Sequence, residues 1–99
     1  MLWRHGDVLI AAVNEVPGGA KKLPSTVLAH GEITGHSHRI EEPGTVEMFQ
    51  AGGMMYMKVV ADWAAIVHEE HKRMTIPRGT YRVWQQREYT PQAIVRVSD

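Results

Sequence analysis

The chain has 99 residues, enough for one domain with a single small core and too few for two. Its 11 basic residues balance 11 acidic ones, so no net field draws it to nucleic acid or to an anionic membrane, and neither is expected as a partner. Cysteine is absent, which excludes disulfides, thiolate ligands and thiol catalysis together and suits a reducing, cytoplasmic setting.

Taken in order, residues 7–13 (DVLIAAV) form a short apolar run between Gly6 and Asn14-Glu15 and fit a buried strand. The run is too short for a signal sequence or a membrane span, so a soluble, unprocessed protein is expected. Residues 16–25, with two prolines, paired glycines and paired lysines, mark an exposed loop. Residues 26–32 resume as a strand, Gly35 bends the chain, and residues 36–41 continue the strand or start the next. Glu42-Pro43-Gly44 is a turn. Residues 45–50 (TVEMFQ) alternate and are joined through Ala51-Gly52-Gly53 to residues 54–60 (MMYMKVV), a strong hairpin signal. Asp62 reads as another tight reversal before residues 63–68 (WAAIVH). Residues 69–79 read as a polar connection ending in Pro77-Arg78-Gly79. Residues 80–89 (TYRVWQQREY) are the clearest strand, and residues 93–97 close the domain. The expected fold is all-β, a single domain over 1–99 built as a small antiparallel barrel or sandwich of seven or eight short strands. Residues 62–73 are the only stretch with any helical alternative. A small barrel with limited core and many apolar strand positions is also expected to form a homo-oligomer.

Five of the six histidines fall in two places, residues 30–38 and residues 68–71. On a strand, side chains at i and i+2 leave one face, so His36 and His38 point into a common volume. His30, Glu32 and Thr34 extend that face if Gly31 and Gly35 do not break the strand. Neutral imidazole is a preferred ligand for zinc, iron, nickel and copper, and such a pair needs only a further donor. That donor is sought in His68-Glu69-Glu70-His71. On a strand His68 and His71 point to opposite faces, so one of them reaches the site unless the chain bends at Glu69-Glu70. His5 and His30 read most simply as hydrogen-bonded structural residues. The methionines, four of which lie within residues 48–57, read as flexible core filler, and Trp63, Tyr81 and Trp84 as core or interface residues. Arg87 and Tyr89, at a strand end, are able to bind an anion.

Three resemblances bear on this reading. His36, His38 and Glu42 have the spacing of the first cupin motif, and Ile76-Pro77-Arg78-Gly79-Thr80-Tyr81 resembles the turn of the second. Where cupins set their remaining ligand His the chain has Arg82, so that role passes to His68 or His71. Second, GEITGHSH, HEEH, PRGTYRV and QREYT together look like a family of small, largely uncharacterised bacterial and phage-encoded proteins. Third, His-x-His on one strand with a third His on its neighbour resembles the zinc site of the α-class carbonic anhydrases.

The expected metal ligands are therefore His36, His38 and at least one of His68 and His71, with zinc as the leading ion and iron, manganese or nickel as alternatives. Three neutral imidazoles leave the ion its full charge and an open position, so that a metal hydroxide forms near neutral pH and attacks a small electrophile. Thr34 or Glu32 is then expected to orient the hydroxide, and Glu70 to orient His68 or relay a proton. Val27, Ile33, Ile66 and Val67 offer an apolar wall to a small-molecule substrate, most sharply carbon dioxide. The other readings are cupin-like iron or manganese chemistry, should Glu32 or Glu42 join the ligands, and a non-catalytic module with a structural metal.

Overall fold

The computed structural model of the protein describes residues 1–31 and 33–86. Its strands, in chain order, are β1 (Leu2–His5), β2 (Val8–Ala12), β3 (Lys21–Leu23), β4 (Val27–His30), β5 (Ser37–Ile40), β6 (Val46–Ala51), β7 (Met54–His68) and β8 (His71–Gln85). A single 3-10 turn covers Pro43–Thr45, where the sequence carries Glu42-Pro43-Gly44. All pairings are antiparallel, in the order β1-β2-β8-β7-β5-β4, with β6 on β7 and β3 on β6. The eight strands make one curled sheet, a half-barrel. The expected all-β antiparallel architecture is what forms. Among the described residues no helix is long and apolar enough to cross a membrane.

The spine is the β7–β8 hairpin, whose strands are 15 residues each and not short. The sequence suggests a reversal at Asp62, a polar connection over 69–79 and a helical alternative over 62–73; the structure has continuous strand instead, turning only at Glu69-Glu70. The physical reason is a paired irregularity. Val59 faces Gly79 and Trp63 faces Pro77, so Val60, Ala61 and Asp62 stand opposite Arg78 alone. Proline, lacking an N–H, is tolerated in sheets at such bulges. Across the bulge the buried positions of β7 switch from Met57 and Val59 to Ala64 and Ile66. Those of β8 switch from Ile76 to Tyr81 and Val83. The break in alternation looks like a strand end in the sequence, but it is a bend that keeps both halves of the hairpin on one core. Each half then serves a different neighbour: β6 lies on the first part of β7 and β5 on the last, while β2 lies on the end of β8.

Three two-residue turns set the remaining registers. Gly52 and Gly53 both have positive φ, at 57° and 77°, as a type I′ hairpin requires, and they close β6 on β7 with Ala51 opposite Met54. Gly6-Asp7 closes β1 on β2 with His5 opposite Val8. Only Gly6 of that pair has positive φ, 62°, which suits the first position of a type II′ turn. Glu69-Glu70 closes β7 on β8 with His68 opposite His71. Strand β1 and the short β3, inside the segment expected to be a loop, are additions to the sequence reading. The expected strand over 93–97 lies outside the described residues.

The core gathers Val8, Ile10, Ile40, Met48, Met57, Val59, Ala64, Ile66, Ile76, Tyr81 and Val83 from β2 and β5 to β8, with Leu28 from β4. Met48 and Met57 fill it as expected, whereas Met54 is 41% exposed at the Gly52-Gly53 turn. Tyr81 is core, packed edge-on against Trp3 at 5.4 Å, while Trp63 lies outside with Arg73 over its ring. Met57→Ala should therefore cost about 2–5 kcal/mol of unfolding free energy, the range for emptying a buried long side chain. Met54→Ala should stay within about 0.5 kcal/mol; urea denaturation of both variants checks the contrast.

Candidate metal centre

Five histidines converge where the tips of two hairpins meet β5. His68 and His71 are direct cross-strand partners, and directly opposed residues share a face. The bend at Glu69-Glu70 thus brings both to one side, with ring centroids 4.7 Å apart. Strand β5 is docked beside this tip by Glu69, whose carboxylate accepts from the Ser37 N–H at 3.1 Å and from Arg39 at 3.0 Å. His38 then lies 4.3 Å from His68 and 5.4 Å from His71 between ring centroids. From the other side the β1–β2 turn brings in His5, 5.0 Å from His38 and 5.6 Å from His71. Ligand-capable atoms of His38, His68 and His71 all lie within 4.8 Å of one another, as do those of His36, His68 and Glu69.

Gly6 makes the close approach possible. A Cβ there would stand 2.7 Å from His71 Nε2 and 2.9 Å from His38 Cε1, besides straining a left-handed backbone.

Protons are fixed by a short hydrogen-bond chain. His5 Nε2 lies 2.8 Å from the Lys72 carbonyl, which only accepts, so Nε2 carries the hydrogen. A neutral His5 then accepts at Nδ1, and its partner at 2.8 Å is His38 Nδ1, which must donate. This leaves the His38 Nε2 lone pair free, with Asp7 Oδ1 3.3 Å away. His5 and His38 are the two buried polar residues among those described, 4% and 2% exposed. Burial, helped by the neighbouring His68 and His5, pushes His38 down to about 4, despite the opposing pull of Asp7. Burial also lowers His5, against the Lys72 carbonyl. Both are thus neutral at pH 7, the form that binds metals. Burial works to raise the Asp7 carboxyl, but the Gln85 amide, its own backbone N–H and His38 together hold it below the usual range. His68 Nδ1 accepts the Glu70 N–H at 2.9 Å.

Of the residues expected in the site, His38, His68 and His71 come together, and both members of the second pair reach it. His36 precedes β5 at the rim, 5.7 Å from the His68 ring and 3.8 Å from a Glu70 oxygen. The row of polar residues expected upstream is not formed. Gly31 and Gly35 lie in the connection between β4 and β5, whose hairpin pairing sets His30 opposite Ser37, and His30 is exposed. Thr34 is exposed in the same connection, and Glu32 lies outside the described residues. Glu70 is an exposed turn residue and not, as a continued strand would make it, a neighbour of His68 on one face. Of the expected apolar wall, Ile66 is fully buried in the core and Ile33 is 55% exposed. Glu42 is exposed at the start of the 3-10 turn, and Arg82 lies over Trp84, 4.7 Å from its ring centroid; neither belongs to the two ligand groups. Arg87 and Tyr89 lie outside the described residues. His5 is the hydrogen-bonded structural residue the sequence suggests, and it is buried; its place beside the cluster, and that of Asp7, are additions to the sequence reading. Part of the signal was present: Gly-Asp just before the apolar run of β2 is a hairpin turn pattern.

Two consequences are measurable. Gly6→Ala should lower stability by more than about 1 kcal/mol, since the native backbone and the imidazoles both refuse the methyl; denaturant melts report it. Acid should also destabilise the metal-free fold. The unfolded chain takes up a proton near the ordinary 6.5 and the folded His38 only near 4. Stability is therefore complete above the unfolded value and falls as pH drops from 6.5 towards 4. The loss is on the order of 3 kcal/mol. Urea melts in chelator at several pH values read it, and His38→Leu should flatten the profile.

No curated protein and no solved structure matches the chain at a significant level. A family match covers residues 4–86, from the strand before the Gly6-Asp7 turn to the end of β8, and so takes in all six histidines and the whole cluster. The chain belongs to the family described as Domain of unknown function (DUF8820).

Proposed function

We propose that the cluster is a centre for one divalent transition ion, held by His38, His68 and His71, and that zinc is its leading occupant. The observation that carries this reading is the mutual approach of three imidazole donors within 4.8 Å, one with its lone pair fixed by a buried hydrogen-bond chain. Ligand histidines characteristically give their other ring N–H to an acceptor, as His38 does to His5. His38 needs no rearrangement to coordinate, whereas His68 exchanges the Glu70 N–H for the ion. Glu69 is already engaged by Ser37 and Arg39, which favours His71 over Glu69 as a partner of His68.

An ion on three neutral imidazoles keeps its full charge and acidifies water at an open position. The catalytic version of the proposal is thus a small water-activating enzyme, with carbon dioxide hydration as its sharpest form. Cupin-like iron or manganese chemistry is less favoured, because Glu42 and Arg82 stand apart from the ligand groups. A non-catalytic metal module has one specific observation in its favour: two cavities of the surface are lined around Leu23, Pro43 and Val60 and around Met54, Arg82 and Trp84, away from the histidines.

Metal analysis of untagged protein, with stopped-flow carbon dioxide hydration, tests the proposal. About one ion per chain is expected, lost in His38→Ala and in a His68→Ala, His71→Ala double variant. Hydration by the zinc form should rise with pH through about 7, the value for water on such zinc sites. Stoichiometric metal without activity above the His38→Ala control would leave the non-catalytic module, and wild-type protein that never holds metal would end the proposal.

A further inference from the structure

We propose that His36, His68 and Glu69 form a second, outer position for a divalent transition ion, weaker than the inner one and sharing His68 with it. The proposal rests on the three-histidine reading above, which supplies the inner position.

Ligand-capable atoms of His36, His68 and Glu69 lie within 4.8 Å of one another, in a group that contains neither His38 nor His71. Ligand atoms on a tetrahedral ion stand roughly 3.4 Å apart, so closing the group takes about an ångström of side-chain rotation. Its members have that freedom: His36 and His68 are half-buried and Glu69 is exposed. Two imidazoles and a glutamate are an established donor set for zinc, and the hard oxygen also admits manganese(II), iron(II) and cobalt(II).

The backbone holds His36 in place although it precedes β5. Its N–H donates to the Ile33 carbonyl at 3.0 Å, and its carbonyl accepts the Gly31 N–H at 2.8 Å. Gly31 packs so closely that a Cβ there would stand 3.2 Å from the His36 Cβ. On the facing hairpin tip, Glu69 accepts from the N–H of Ser37, the residue after His36, and from Arg39. The bonds that dock β5 on the tip thus set the carboxylate beside the imidazole. They leave it able to ligate, because a carboxylate has about four lone-pair sites and ligating carboxylates are themselves hydrogen-bonded. The Glu70 carboxylate, 3.8 Å from His36 Nδ1, adds negative charge at the same rim.

Donor type and burial rank the two positions. The inner one has three imidazoles, one of them buried, whereas the outer one shares its carboxylate with Arg39 and has no buried member. A ligating imidazole is neutral and offers one lone pair, so His68 serves one ion at a time. The positions are therefore alternatives, and the chain binds one ion in either. An ion in the outer position is read by titration, because the metal content of purified protein reports the tighter one.

Cobalt(II) titration followed by its visible spectrum, against a competing chelator, tests the proposal on the full chain. Wild type should bind one ion, and His36→Ala and Glu69→Gln should each leave its affinity within about twofold, since the inner ion touches neither residue. His71→Ala should weaken binding at least about tenfold and alter the spectrum, yet still hold one ion. In that background His36→Ala and Glu69→Gln should each cost a further tenfold or so. The dependence on background is the signature of two positions. All three residues are half-buried or exposed, and melts in chelator confirm that the variants are folded. No binding in His71→Ala, or binding there that neither His36→Ala nor Glu69→Gln weakens, would overturn the outer position and leave the three-histidine centre intact. A tenfold loss in His36→Ala or Glu69→Gln on the wild-type background would overturn it too, by making that residue a ligand of the inner ion. Wild type that binds no cobalt(II) would overturn both readings.

Discussion

The hydrogen bond between His5 and His38 is the contact on which the rest of this end of the molecule depends. It joins β1, the first strand of the curled sheet, to β5, the fifth in the sheet order, without any ladder between them. A half-barrel of this kind leaves an open seam. Here the seam is crossed by imidazoles: His5 reaches β5 through His38 and the start of β8 through the Lys72 carbonyl. The end of β8 returns to the same turn through Gln85 and Gln86. Burying two polar rings is unfavourable unless each nitrogen finds a partner. The chain satisfies three of the four ring nitrogens, and the fourth is the one aimed at Asp7.

Around this buried pair, charged residues set positions more than they add stability. Arg39 with Glu69, Arg73 with Glu41 and Arg78 with Asp62 are all surface pairs at 2.8–3.0 Å, and such pairs contribute about 0–1 kcal/mol each. Their placement is more informative than their strength. The first holds the Glu69-Glu70 tip against β5, the second ties β8 to the end of β5 next to the cluster, and the third spans the bulge where the long hairpin bends.

How much of this was legible in the sequence depended on whether the signal was local. The all-β class, the Gly52-Gly53 hairpin and the methionine core follow from alternation and turn chemistry, which act over a few residues. The β7–β8 spine was misread because the bulge at Val60–Asp62 and Pro77–Gly79 uses the residues that elsewhere end strands. Distinguishing a bend from an end requires knowing that the two irregularities face each other, which is information about pairing. His68 and His71 show the same limit. On one strand three residues apart they oppose each other, and across a two-residue turn they coincide. His5 was legible as a hydrogen-bonded structural residue, but not its place beside the cluster, because its partners lie 33 and 67 positions away in the chain.

Burial across the cluster is graded, and the gradient has a chemical meaning. His38 is buried, His68 is half-buried and His71 is exposed. A rigid, neutral ligand with its lone pair already directed lowers the cost of ordering when an ion arrives. Ligands on a hairpin tip can adjust by small turn movements, which suits ions of different size and coordination number. On the metal-centre proposal, the arrangement would combine one buried donor with more exposed ones at the solvent boundary.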